Sequence, residues 1–248
     1  MKFIFSKYHY CICFVILLGD INAQSNPDSL IKVYKNRFHS KKSNSITKVD
    51  QLNNLAYVYW QLSDYNESRI YSQNAILMGK KINYKRGIAN AYRNLGLIES
   101  IRGRYNEALS YYDKSLKLLT KKKNKKDIIS LYGSIGEIYR LKGDYTIALN
   151  YYYQGLQLAE NAKNQMQIAY FHNFIGIVNN NITNYDSALS HLQKAILIRK
   201  KIKEWNGLAD SYNNIGLVYD SKKDFQKAIY YYSLTAENRR KTNKMVIK

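Results

Sequence analysis

The histidines are the side chains of this 248-residue sequence best suited to proton or metal chemistry at neutral pH. Three of them, His39, His172 and His191, follow residue 23 and are far apart in the sequence. A zinc or acid–base site would need a third ligand or a carboxylate beside such a pair. None stands at a suitable spacing, so packing is the main expectation for His172 and His191, and a metal site with carboxylates is the alternative.

The sequence contains none of the common catalytic motifs. It has no Gly-rich phosphate loop, no His-Glu-x-x-His and no Gly-x-Ser-x-Gly. Its two cysteines, Cys11 and Cys13, lie near the N-terminus, and no cysteine pair at zinc spacing follows them. We therefore expect no enzymatic activity, no cofactor and no metal.

Any site must be positioned by a unit of 40 residues that recurs five times. Three sets of anchors keep this spacing: a first small residue, a second small residue and an aromatic one. They are Ala56, Gly96, Gly136, Gly176 and Gly216; Ser68, Ala108, Ala148, Ala188 and Ala228; and Tyr65, Tyr105, Tyr145, Tyr185 and Phe225. A fixed period of this length indicates stacked structural repeats.

Each unit has the pattern of two helices joined by a turn. The first helix of the fifth copy has an apolar stripe with residues three or four apart: Leu208, Tyr212, Ile215 and Tyr219. Gly216 inside this helix predicts close approach of the second helix. Gly103 and Gly143 predict a left-handed residue in the turn. Four residues then have the composition of helix N-caps: Asp64, Asp144, Asn184 and Asp224.

This order of residues resembles the tetratricopeptide repeat. The matching residues of the fifth copy are Tyr212, Ile215, Gly216, Tyr219, Ala228 and Tyr232. The resemblance covers about residues 49–243 and implies an all-α fold, a right-handed α-solenoid of tandem helix-turn-helix repeats. The unit is longer than the usual 34 residues, which predicts a longer second helix. The fourth copy is the most irregular, with His172, Asn179 and Leu192 where its siblings mostly have tyrosine.

The resemblance also implies where a partner binds. In tetratricopeptide arrays the first helices line a concave face, and polar residues there contact an extended protein or peptide ligand. The corresponding side chains here are Asn53, Asn54, Arg93, Asn94, Ser134, Asn173, Asn213 and Asn214. Amides offer paired donors and acceptors to a peptide backbone, and Arg93 could hold a carboxylate. The alternative is solvated asparagine in an asparagine-rich protein.

The net charge of +21 admits two interpretations. Lysines and arginines end the second helices at 80–81, 121–126, 199–203 and 239–244, where cations complement the helix dipole. The alternative is a basic ridge that binds anionic lipid, glycan or an acidic protein. We do not expect a nucleic-acid partner, because base-stacking aromatics are not interleaved with the basic runs.

The ends of the sequence complete the predicted organisation. Residues 1–23 have the charged, apolar and small-residue order of a signal peptide, with an apolar run too short to span a membrane; a buried N-terminal helix is the alternative. A capping helix is predicted within 24–46, and a tail at 244–248. The five repeats between them are predicted at 47–86, 87–126, 127–166, 167–206 and 207–243.

Two functions agree with these features. The first is an exported, non-enzymatic scaffold of the bacterial envelope, periplasmic or secreted, that binds a protein or peptide. The second follows from the resemblance to the exported sensory halves of bacterial histidine kinases: a sensory or regulatory module, stand-alone or truncated.

Overall fold

The computed structural model describes residues 27–40, 44–120 and 123–246, and every regular element in these ranges is an α-helix. The helices are α1 (Pro27–His39), α2 (Ser45–Gln61), α3 (Tyr65–Lys81), α4 (Lys85–Ile101), α5 (Tyr105–Leu118), α6 (Lys125–Lys142), α7 (Tyr145–Asn161), α8 (Gln165–Asn181), α9 (Tyr185–Lys201), α10 (Trp205–Ser221) and α11 (Phe225–Val246). The all-α, α-solenoid expectation is confirmed. The predicted signal peptide, residues 1–23, lies outside the described residues.

The helices fall into two compact units. Asp20–Lys142 contains α1 to α6, and Gly143–Lys248 contains α7 to α11. In the first unit α2 packs against α3 and α4 against α5; in the second, α8 packs against α9 and α10 against α11. Each of these pairs is the first and second helix of one predicted copy.

The 40-residue period arises from helices of equal length. Most helices of the repeats are 17 residues long, and three residues separate each from the next. In the first four copies the second helix is therefore no longer than the first, whereas in the fifth copy α11 has 22 residues and α10 has 17. Each first helix begins two residues before the start predicted for its repeat, because capping residues precede the apolar stripe. At the start of α2, for example, the Asn44 side chain accepts a hydrogen bond from the Thr47 N–H at 2.8 Å.

The predicted caps of the second helices are largely confirmed. Asp64, Asn184 and Asp224 each accept a hydrogen bond from the backbone N–H three residues later, at 3.1–3.4 Å. Asp144 makes no capping hydrogen bond, so the prediction was wrong at that position. Arg104 also provides no side-chain cap, as expected from its type.

In every copy, the turn between the first and second helix contains a residue in the left-handed backbone conformation. Gly103 and Gly143 have φ of +73° and +82°, which confirms the sequence prediction. The equivalent positions hold Ser63, Thr183 and Lys223, with φ between +60° and +62°. A side chain with a Cβ is strained in this region, and a β-branched one most of all.

We expect Thr183→Gly to stabilise the protein by about 1 kcal/mol, because glycine has no Cβ to clash in the left-handed conformation. Thr183 is exposed, so its removal forfeits little packing. Urea unfolding followed by circular dichroism measures the change. The reverse substitution, Gly143→Thr, is the control and should destabilise by a similar amount; equal stabilities for both variants and wild type would contradict the argument.

In the second, fourth and fifth copies the glycine of the first helix lies directly under a large side chain of the second helix. A Cβ added at Gly96 would overlap the ring of Tyr112, and one at Gly216 would overlap the ring of Tyr232. Close approach of the two helices is thus confirmed. The tyrosine ring rests on the glycine itself.

Candidate binding surface

The eight predicted ligand contacts lie on the first helices α2, α4, α6, α8 and α10, and most are buried. Arg93 is 6% exposed, Asn94 is 1% exposed, and Asn53, Ser134 and Asn173 are similarly covered. Asn54, Asn213 and Asn214 are half-buried. Burial on this scale means that the row is not simply solvated asparagine, because buried polar groups are normally hydrogen-bonded.

In the unit Asp20–Lys142 the amides of Asn53 and Asn94 join neighbouring first helices. Asn53 Nδ2 donates to the Gly87 carbonyl at 3.0 Å, and Asn94 Nδ2 donates to the Asn53 carbonyl at 3.1 Å. The donor side of each amide is therefore used to hold α2 and α4 together. The Oδ1 atoms of Asn53 and Asn94 are buried and have no hydrogen-bond partner among the described residues.

Arg93 stands beside Asn94 without a counter-charge. Its guanidinium lies over the ring of Tyr57, with the central carbon 6.0 Å from the ring centroid. Its Nε is buried and has no partner, and Arg93 forms no ion pair with any residue that the structure describes. A buried cation is normally paired or bound to a ligand, so Arg93 remains the candidate anion-binding residue of this surface. Sequence analysis missed Tyr57, because its aromatic ring did not distinguish it from the other tyrosines.

Acidic side chains near this surface are already engaged. Arg86 Nε donates to Asp127 at 2.8 Å, and the Tyr84 hydroxyl donates to Asp50 at 3.1 Å. Burial and the neighbouring Asp50 carboxylate raise the pKa of Tyr84 to about 12, so it stays a donor at neutral pH. Neither of these two carboxylates forms an ion pair with Arg93.

Ser134 has a structural role. Its hydroxyl donates to the Ser130 carbonyl at 3.1 Å, and it is hydrogen-bonded to the hydroxyl of Tyr112. This predicted ligand contact therefore ties α5 to α6.

In the unit Gly143–Lys248 the amide side chains form hydrogen bonds with each other. Asn173 Oδ1 accepts from Ser211 Oγ at 3.0 Å and from Asn214 Nδ2 at 3.1 Å. Ser211 in turn accepts from Arg199 Nη1 at 2.8 Å, and Arg199 faces Glu204 at 3.5 Å. This closed network holds α8, α9 and α10 together. Among the predicted contacts of this unit, Asn213 remains the one that is half-exposed and outside the network.

The predicted basic ridge is only partly a surface feature. Lys80 and Lys81 end α3 and are exposed, as a ridge requires. Arg199 was predicted to belong to the same ridge, but it is buried in the network described above. Its role is to pair with the Glu204 carboxylate and to hydrogen-bond to the first turn of α10.

The two histidines of the fourth copy do meet. His172 Nδ1 and His191 Nδ1 are 3.0 Å apart, and the edge of Tyr153 contacts His191. Burial lowers the pKa of His172 to about 4, with His191 and Lys194 contributing; burial and Lys194 also lower the pKa of His191. Among the described residues no third histidine, cysteine or carboxylate joins them. The alternative of a metal site with carboxylates is therefore not supported.

Comparison with known proteins decides the family. A model of the tetratricopeptide repeat matches residues 51–121, 87–161 and 165–241. The chain belongs to the tetratricopeptide repeat family. The repeats of this tetratricopeptide repeat protein thus include both the Arg93 surface and the histidine pair. No curated protein matches the sequence.

Solved structures share the fold at low sequence identity. BtubC (BKLC) from P. vanneervenii is 18% identical with a TM-score of 0.71, over 88% of this chain and 93% of that one. A STAND protein with a tetratricopeptide repeat sensor from Pyrococcus horikoshii is 18% identical with a TM-score of 0.65, over 84% and 35%. A Rap protein complexed with Competence and Sporulation Factor is 14% identical with a TM-score of 0.63, over 88% and 72%. Within the described ranges, none of the helices has the length and apolarity needed to cross a membrane.

Proposed function

We propose that this tetratricopeptide repeat protein is an exported, non-enzymatic scaffold that binds a carboxylate-bearing protein or peptide segment at Arg93. The observation that carries the proposal is the burial of the Arg93 guanidinium over Tyr57 without a counter-ion. A carboxylate from a partner would complete this charge, as an arginine fork binds an acidic side chain or a C-terminus.

The neighbouring amides define a second part of the ligand. The unpartnered Oδ1 atoms of Asn53 and Asn94 are acceptors, so they call for N–H donors. A peptide supplies both groups, a carboxylate and backbone N–H, in one short segment. The net charge of +21 favours an acidic partner through long-range attraction.

We expect Arg93→Gln to weaken binding of the partner segment at least about tenfold, because a charge-assisted hydrogen bond to a buried site is lost. The partner is first captured from the envelope fraction, and its acidic segment is then made as a synthetic peptide. Isothermal titration compares wild type with the variant, and a C-terminally amidated peptide distinguishes a terminal carboxylate from a side chain.

Arg102→Gln is the matched control. Arg102 is the C-cap residue of the same helix, α4, but it is exposed. The Arg102→Gln substitution therefore removes an equal charge from the protein surface. This control substitution should change the affinity for the peptide by no more than about twofold. If Arg102→Gln weakens binding as much as Arg93→Gln, attraction by net charge and not a site at Arg93 explains the affinity.

A second candidate function is that of a sensory or regulatory module. It is favoured by the similarity in fold to a Rap protein bound to a factor and to a STAND protein with a tetratricopeptide repeat sensor. A reading frame that continues into a kinase or membrane segment would favour this function over the stand-alone scaffold. Mass spectrometry of the natural protein tests export, since cleavage after Ala23 would leave Gln24 at the N-terminus.

A further inference from the structure

The fourth copy lacks three tyrosines that the third and fifth copies carry at equivalent positions. In the fifth copy Tyr231 of α11 packs between Tyr212 and Tyr219 of α10, with ring centroids 6.3 and 5.5 Å away. Forty residues earlier, the same three positions hold His191, His172 and Asn179. One repeat has thus exchanged three phenols for two imidazoles and an amide, which are metal-ligating groups.

The two exchanged histidines lie together in the structure. His172 Nδ1 and His191 Nδ1 are 3.0 Å apart, and their ring centroids are 5.1 Å apart. Asn179 Nδ2 donates to the Ile175 carbonyl at 2.8 Å, which leaves the Asn179 Oδ1 as the ligating atom of the amide. Asn179 follows His172 by seven residues on α8, the register position that Tyr219 has on α10.

We propose that His172 and His191 bind one divalent transition-metal ion through their Nδ1 atoms, with the Asn179 carbonyl oxygen as a third donor. This site goes beyond the binding of a partner at Arg93. Both imidazoles reach an ion at about 2.0–2.1 Å. With the two nitrogens 3.0 Å apart, the angle at the ion is about 94°. That value is close to the right angle of tetragonal coordination, which N and O ligands provide for Cu²⁺ and Ni²⁺, and the affinity order of divalent ions favours Cu²⁺.

Binding requires a change of tautomer and a tilt of both rings, because the ion lies off the line that joins the two Nδ1 atoms. In the free pair one Nδ1–H donates to the other Nδ1. When both Nδ1 atoms ligate the ion, the donating histidine carries its proton on Nε2, and no net proton is released. The lowered pKa of both rings keeps them neutral at pH 7, the form that ligates. His191 is only half-buried and provides the route of entry.

Lys194 supplies a distinctive test of the site. Its charge acts on both histidines and therefore opposes a bound cation. Lys194→Gln should tighten metal binding by a few-fold while leaving the ligands intact. A binding site elsewhere on the surface would not respond to this substitution.

The experiment titrates the full chain with Cu²⁺ alone, in a Cys11→Ser, Cys13→Ser background that removes competing thiolates. Equilibrium dialysis should show one ion whose binding falls by more than about tenfold in His172→Tyr and in His191→Tyr. These variants restore the tyrosine that other copies carry, so circular dichroism should show a folded array. Electron paramagnetic resonance should report nitrogen ligands in wild type, and His39→Asn should bind normally.

Three results would overturn the proposal. In the first, wild type binds no ion. In the second, both tyrosine variants bind the ion as well as wild type does. In the third, binding of the ion depends on His191 but not on His172. In the last case a single surface imidazole, and not a convergent pair, would hold the ion.

Discussion

Replacing Tyr112 by alanine is expected to lower the free energy of unfolding by about 3–5 kcal/mol, as for other large buried aromatics. The Tyr112 side chain is 1% exposed, covers Gly96 on α4 and is hydrogen-bonded to Ser134 on α6. Because Tyr112 itself belongs to α5, one side chain joins three helices of the unit Asp20–Lys142. Its removal opens a cavity between them that the glycine cannot fill. Urea unfolding followed by circular dichroism measures the loss.

Tyr112→Phe separates the ring from the hydroxyl. It keeps the contact with Gly96 and removes the hydrogen bond to Ser134, which should cost about 1 kcal/mol. If the phenylalanine variant were as unstable as the alanine variant, the hydrogen bond and not the packed ring would dominate. If Tyr112→Ala lost only about 1 kcal/mol, the neighbouring helices would have closed the cavity.

Stability is expected to fall as the pH drops from 6.5 towards 4, because burial keeps His172 neutral in the folded state. The folded pKa of about 4 lies below the unfolded value of 6.5, so the unfolded chain takes up the proton first. The stabilisation is complete above pH 6.5 and is lost as the pH falls through 4. Linkage gives a loss of about 2 kcal/mol between pH 7.5 and pH 5, and about 3 kcal/mol by pH 4.

The double variant His172→Tyr, His191→Tyr is the control for this pH dependence. Neither tyrosine titrates in this range, so wild type should lose stability relative to the variant as the pH falls. Lys194, which faces both histidines, remains in the variant and cannot account for the change. Denaturant midpoints measured at several pH values provide the comparison. Parallel profiles would show that carboxylates alone cause the acid sensitivity.

The predicted ligand row shows where sequence reasoning reached its limit. Its positions on the first helices followed from the period, but the partners of its side chains did not. Asn94 and Asn173 looked equivalent as free amides, yet Asn94 donates to a backbone carbonyl and Asn173 accepts from Ser211 and Asn214. A hydrogen bond between repeats depends on residues about 40 positions away and on helix orientation, neither of which a local pattern contains.

The sequence by itself determined the family, the all-α fold, the glycines under the second helices and the left-handed turns. These features repeat every 40 residues and depend on local stereochemistry: a missing Cβ, a capping oxygen or an apolar stripe. Only the tertiary structure decided that Arg93 is buried without a counter-charge and that His172 and His191 meet at 3.0 Å. These two sites arise where a copy departs from the repeat, and the consequence of a departure depends on which side chains packing brings against it.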